Sequence, residues 1–302
     1  MKKYYLILCL IFLGLQSVFA QQDAQYTQYM FNTLVINPAY AGSRDAVSIL
    51  GIYRNQWTGF NGSPTSFAAS VHSPVGEKLG LGLFLESDQI GVHQRLSAYT
   101  AYAYKIALGG GYLSLGLQAG VLQYSSDWSE LPEVLDPDDP IFLADNSKLL
   151  PNFGLGVYYY SEQFFVGVSV PHLLEGNIDE VSELAMQDRH YWATAGVAIP
   201  LNDNLKVQPS LLVRMVPSIA PVNIDANLSL IINNIFRVGA GYRSSQAVLF
   251  MLEYQQDKLR VGYSYDLGLS SLADYHSGSH EIMVGLDLPT NKLQKVQSPR
   301  FF

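Results

Sequence analysis

Residues 94–106 read QRLSAYTAYAYKI. Apolar side chains alternate there with small or polar ones at a period of two, which sends one set to each face of an extended strand. The same alternation returns segment after segment as far as Leu288. Tight connections centre on Gly109-Gly110, Ser161-Glu162, Asn202-Asp203, Asn233-Asn234 and Gln256-Asp257. Mostly longer ones fall near residues 88–93, 125–149, 173–187, 216–220 and 267–277. Long and short connections in alternation are the rhythm of an outer-membrane barrel.

The expected fold class is all-β, a closed transmembrane antiparallel β-barrel of about 14 strands. Fourteen segments begin near Asp45, Thr65, Leu79, Arg95, Tyr112, Asn152, Gln163, His190, Leu205, Val222, Ile235, Ala247, Leu259 and His280. A soluble sandwich shares the period but seals its apolar residues between two sheets, and it has no need for long and short connections to alternate.

The first twenty residues carry Lys2 and Lys3, the apolar run YYLILCLIFLGL and the small-residue end Val18-Phe19-Ala20, so 1–20 reads as an export signal cleaved near Ala20. Cys9 follows Leu8 inside that run, which argues against a lipidation site, and it is the chain's one cysteine. The remaining residues therefore have no disulfide or thiolate chemistry. They hold 16 Lys and Arg against 26 Asp and Glu, a balance unsuited to nucleic acid or to anionic lipid headgroups. No apolar run after Ala20 reaches the roughly 18 residues of a membrane helix, so a membrane location demands a closed sheet. Organisation is expected as 1–20 signal, 21–44 an N-terminal segment, 45–288 the barrel and 289–302 a periplasmic tail.

The apolar set of each strand is read as facing lipid, and the other set as facing the lumen. Phe236, Val238, Ala240 and Tyr242 alternate with Arg237, Gly239, Gly241 and Arg243. With odd strands running outward, Arg237, Glu253, Arg260 and Asp287 fall in the periplasmic half of the lumen wall, and Arg243, Asp266 and Glu281 in the outer half. Opposite signs alternate, as in a salt-bridged filling that compensates buried charge; a polar conduit or a peptide-binding surface is the functional alternative.

Catalytic patterns are missing from the sequence. Six histidines (His72, His93, His172, His190, His276 and His280) are scattered with no HExxH, and no G-x-S-x-G elbow occurs. His280 is flanked by Ser279 and Glu281, but adjacent strand residues point to opposite faces. No enzyme activity, metal or cofactor is expected.

Residues 21–45, QQDAQYTQYMFNTLVINPAYAGSRD, are neither alternating nor plainly helical, and they are too apolar for a free linker. They either fill the lumen from the periplasmic side or lie against the barrel base; an extra strand with a turn at Asn37-Pro38 is the plainer alternative. Here Gln28-Tyr29-Met30-Phe31-Asn32, Asn37-Pro38-Ala39-Tyr40-Ala41-Gly42 and Tyr53-Arg54-Asn55-Gln56-Trp57 stand together with Gly262-Tyr263-Ser264-Tyr265-Asp266, Gly278-Ser279-His280-Glu281-Ile282 and the end Ser298-Pro299-Arg300-Phe301-Phe302. With these blocks the sequence resembles the PorP/SprF family of type IX secretion system membrane proteins. The resemblance implies an outer-membrane barrel of the Bacteroidota, partnered by secretion components and by a secreted surface protein with a C-terminal sorting domain. In gliding members it implies export or surface attachment of adhesins. Asn37, Pro38, Tyr40, Gly42, Arg54, Gln56 and Trp57 are the signature residues, as packing elements or partner contacts. Arg54 and Gln56 are expected on one face of the first strand, with Trp57 at its outer end. A channel for a small solute is the competing function.

Overall fold

The computed structural model describes residues 24–128, 146–177, 186–217, 220–244 and 246–290. The signal segment, parts of two long outer loops and the end of the chain from residue 291 lie outside the described residues.

Fourteen antiparallel strands form the wall: β1 Ala46–Asn55, β2 Thr65–Val75, β3 Leu79–Ile90, β4 His93–Leu108, β5 Gly111–Ser126, β6 Asn146–Tyr160 and β7 Phe164–Val170. They continue as β8 Tyr191–Val197 with its extension Ile199–Asn202, β9 Leu205–Val216, β10 Ala220–Ile232, β11 Phe236–Arg243, β12 Ala247–Gln256, β13 Leu259–Gly268 and β14 Ser279–Pro289. The first strand pairs with the last from Ala46↔Pro289 to Asn55↔His280, so the sheet closes with no free edge. The stretch that opened the reading lies inside β4.

Exposure follows the alternation. Along β11 Phe236, Val238, Ala240 and Tyr242 are exposed, while Arg237, Gly239 and Arg243 are buried. Leu79, Leu81, Leu83 and Leu85 of β3, and Ile282, Val284, Leu286 and Leu288 of β14, are exposed as well. A water-soluble sandwich would hide these residues; on a closed barrel they form the band that meets lipid.

The six connections on one rim, such as Gly109-Gly110 and residues 203–204, have two or three residues each. This is the periplasmic rim by the usual asymmetry of such barrels. The outer rim differs from expectation at two places. Residues 88–93 form no loop: Asp88 is an inward strand residue that accepts from Ser66 Oγ at 2.5 Å, and the turn is only Gly91-Val92, with Gly91 at φ +57°. The sixth strand begins at Asn146, before the expected Asn152, and carries Pro151 within it. That proline is tolerated because β7 pairs with β6 only from Leu155 to Tyr160, so Pro151 needs no amide for that side of the ladder.

Because Leu252 is half exposed near the centre of β12, Leu252→Arg is expected to destabilise the barrel by about 2–4 kcal/mol in bilayers. Denaturant unfolding in phospholipid vesicles measures it; a change within about 0.5 kcal/mol, as for an ordinary water-exposed site, would contradict the lipid-facing assignment.

Candidate functional site

Closing fourteen strands leaves a lumen wider than the wall's own side chains can fill. Residues 24–44 fill it. Tyr26, Tyr29, Met30, Phe31, Leu34, Ile36 and Tyr40 are all buried and form the apolar core together with wall residues such as Tyr99, Tyr158 and Met251. The segment is built of turns, with short 3-10 stretches at Thr33–Val35 and Pro38–Tyr40. Most of its backbone donors are satisfied within these turns, such as Phe31 N to Gln28 O and Asn37 N to Thr33 O, and the Thr27, Gln28 and Gly42 amides find partners on the wall.

At the outer end Glu281 accepts from the Thr27 amide at 2.9 Å and the Gln28 amide at 2.8 Å. Thr27 Oγ1 donates to Asp266 at 2.8 Å. Arg54 joins both carboxylates, Nη2 to Asp266 at 2.8 Å and Nη1 to Glu281 at 3.3 Å. Arg243 bridges Asp266 at 3.2 Å and Asp225 at 3.0 Å, and Arg214 meets Asp225 at 2.8 Å. Three guanidinium groups thus face three carboxylates, all buried, with Thr27 at the centre. Nearby, Tyr26 donates to Glu86 at 2.9 Å, and burial together with that carboxylate raises its phenol well above the ordinary range, so it stays a donor.

At the periplasmic end Arg44 reaches Asp287 at 2.7 Å, and Arg260 meets the same carboxylate at 3.1 Å. Arg237 sits 3.4 Å from Glu253, its direct partner across β11 and β12, and lies over the Phe31 ring at 4.8 Å. Arg237, Glu253, Arg260 and Asp287 thus gather at one end, and Arg243, Asp266 and Glu281 at the other, all buried but the half-buried Asp287. Arg44, Arg214, Asp225 and Thr27 complete the network and were not anticipated. Asp225 was readable from the alternation of Asn223, Asp225, Asn227 and Ser229 with apolar neighbours. The apolar flanks of Arg214 hide the same signal, and Thr27 gives none.

The signature turn binds the wall through its backbone. Asn37 Oδ1 accepts from the Ala39 amide at 2.9 Å, while Nδ2 donates to the carbonyls of Val157 at 3.1 Å and Val168 at 3.2 Å. Pro38 occupies the first position of a 3-10 turn, where no amide is missed. Tyr40 packs edge-on against Tyr158 and His72 and accepts from Arg44 Nε at 3.2 Å. Gly42 adopts φ +68°, its amide donates to His72 Nδ1, and its carbonyl accepts from Lys105. The wall yields to this turn at Gly116 and Gly156, where a Cβ would stand 2.1 Å from the Ala39 nitrogen and 2.0 Å from Asn37 Oδ1.

The second signature block divides. Arg54 is buried in the charge network, but β1 ends at Asn55, so Gln56 is a loop residue whose amide donates to Pro64. Trp57 takes the left-handed conformation at φ 55°, and its ring lies 6.3 Å from that of His276. Gln56 lies one residue past the end of the strand, and the extended backbone is broken at Trp57. His280 faces outward between Tyr263 and Tyr265, with Nδ1 at 2.7 Å from the Tyr263 hydroxyl.

A closed antiparallel barrel with an apolar exterior and a lumen packed by its own N-terminal segment defines an integral outer-membrane protein. The chain belongs to the PorP/SprF family: the family model "Type IX secretion system membrane protein PorP/SprF" matches residues 18–286. No curated protein matches the sequence. Among solved structures, the Ralstonia pickettii toluene transporter TbuX is similar at 11% identity and TM-score 0.56, covering 85% of this chain and 93% of that one. The Acinetobacter baumannii outer membrane protein Omp33 follows at 8% identity and TM-score 0.48, with 82% and 99% covered. At such identities the likeness is one of fold.

Arg54→Ala leaves the Asp266 and Glu281 carboxylates short of a buried cation, and is expected to cost about 3–5 kcal/mol, against about 1–2 kcal/mol for Thr27→Val. Unfolding midpoints followed by heat-modified gel mobility check the order; equal and small effects would mean that water, not Arg54, compensates the pair.

Proposed function

We propose that this protein is a non-catalytic, occluded outer-membrane component of type IX secretion. In this reading it binds a secreted surface protein that carries a C-terminal sorting domain, or holds other secretion components, for export or surface attachment. The signal is removed near Ala20, and the tail beyond residue 289 lies in the periplasm. The observation that carries the reading is the burial of residues 24–44 across the lumen: a conduit needs the volume that Tyr29, Phe31, Leu34 and Tyr40 occupy. Family membership supports the secretion setting. A solute channel is the runner-up, and likeness of fold to a toluene transporter does not by itself favour it.

The partner surface in this reading is the outer crown. Loop 56–64 is braced to loop 269–278 by Thr58 N donating to Gly278 O and Ser277 N to Thr58 O, both at 2.8 Å, and to the β3–β4 turn by Gly91 N donating to Gly62 O. The brace holds Phe60 and Tyr275 outward, the latter 70% exposed. Exposed aromatics on a rigid base are the usual anchors of protein interfaces.

Two measurements test this function. In planar bilayers the purified barrel is expected to show no steady ion conductance; stable open channels from the intact protein would restore the solute reading. From native membranes, a secreted protein with a C-terminal sorting domain is expected to co-purify, and Phe60→Ala with Tyr275→Ala to lower its recovery roughly tenfold or more with unchanged barrel assembly. Replacing Asn37 and Pro38 separates two roles, since lost surface display with normal assembly marks a partner contact and joint loss marks packing.

A further inference from the structure

Fourteen strands return the wall to the rim on which it began: β1 starts at Ala46 and β14 ends at Pro289, its direct partner, on the rim of short turns. Both ends of the wall are therefore on the periplasmic side, as an even strand number requires. The lumen segment adds one more passage, and its contacts give the direction. Arg44 meets Asp287, two residues before the end of β14, and the Asp45 carbonyl accepts from Thr290 Oγ1 at 3.2 Å. At the other end the Thr27 and Gln28 amides donate to Glu281, two residues after the start of β14, and Thr27 Oγ1 donates to Asp266, two before the end of β13. Glu281 and Asp287 stand six residues apart on one strand, about 20 Å at the usual rise.

The segment meets solvent at its beginning. Residues 26–34 are buried, whereas Ala24 and Gln25 are only half-buried. Ala24 borders a small cleft whose wall residues run from Phe84 and Gln118, midway along β3 and β5, to Arg95, Pro171, His172 and Trp192 at the outer strand ends. Between Ala24 and the expected cleavage point stand three residues, which span at most about 10 Å even when extended, half the length of wall between Glu281 and Asp287. A chain end so short cannot double back to the periplasmic rim through a lumen filled by Tyr29, Phe31 and Tyr40.

We propose that residues 24–44 are a fifteenth crossing of the outer membrane, N-terminal end outward, so that the chain end left by signal removal is presented at the cell surface among the loops of the outer crown. The two ends of the processed chain then lie on opposite sides of the membrane. This rests on the signal removal and the orientation of the rims in the proposed function, and it adds the chain end to the surface that a partner meets. It also orders assembly. Glu281 and Asp287 register with Arg54 and Ser48 of β1, so both anchors of the segment lie on the seam where the first strand meets the last. Arg260 binds Asp287, Ser48 and the Phe31 carbonyl at the same seam. The segment is laid against β13 and β14 with its free end leading, and β1 encloses it as the circle closes.

Thiol accessibility on whole cells tests the direction. The chain's one cysteine, Cys9, leaves with the signal, so each introduced thiol is unique. A sulfonated, membrane-impermeant maleimide is expected to label Ala24→Cys and Phe60→Cys as fully on intact cells as after the outer membrane is permeabilised. Lys258→Cys, in the turn between β12 and β13, is expected to react only after permeabilisation. A short hydrophilic epitope inserted between Gln22 and Asp23 is expected to bind antibody on intact cells, which guards against a thiol at residue 24 too sheltered to react. Heat-modified gel mobility confirms that each barrel is assembled. An epitope reached only after permeabilisation, or Ala24→Cys following the pattern of Lys258→Cys, would overturn the crossing. Phe60→Cys shielded on intact cells, or a purified chain whose mass still includes residues 1–20, would instead overturn the rim orientation or the signal removal, and the crossing with it.

Discussion

Glu281 accepts two backbone amides, those of Thr27 and Gln28, while Arg54 compensates its charge. Most of the interior follows from that arrangement. A closed sheet in lipid turns its apolar residues outward, so its inward face is polar by default and must be satisfied without bulk water. The N-terminal segment supplies the missing partners. Its amides meet the wall's carboxylates, its rings supply the apolar filling, and Arg44 anchors its other end at Asp287. Neither part is complete alone: without the segment, Glu281 and Asp266 lose donors, and without the wall, the segment's turns leave amides unpaired.

The same dependence shapes the wall. Where Asn37, Ala39 and Ala41 press on it, the wall carries Gly156, Gly116 and Gly80, and backbone lies directly against the segment. Close packing leaves little slack in such an arrangement, so a change on either face of the wall is felt on the other. A barrel of this kind is a rigid body with a solid interior, in contrast to a sleeve around a pore. Surfaces left for any contact are its rims and its lipid face.

Much of this was legible beforehand, for reasons visible in particular residues. The starts of β2, β3, β9, β12 and β13 coincide with Thr65, Leu79, Leu205, Ala247 and Leu259 as read from alternation and turn residues. The errors have local causes. Gly91 permits a turn of two residues where polar composition suggests a loop, and Pro151 lies in a strand because its neighbour strand is too short to need its amide. β1 ends at Asn55, and Trp57, expected at its outer end, instead takes the left-handed conformation that breaks the extended backbone.

Period-two patterning and the placing of turns belong to the chain itself, because the facing of a strand residue is fixed by local backbone geometry. They determined a barrel of fourteen strands, which side meets lipid, and which charges point inward. Which inward charges meet was decided only by closure. Arg54 reaches Asp266, 212 positions away, because β1 and β13 both register on β14, at Arg54↔Glu281 and Ser264↔Glu281. A slip of one residue in either pairing would turn that set outward. The filling of the lumen by residues 24–44 likewise exists only once the circle is complete, since no local rule ties an irregular segment to partners more than two hundred residues away.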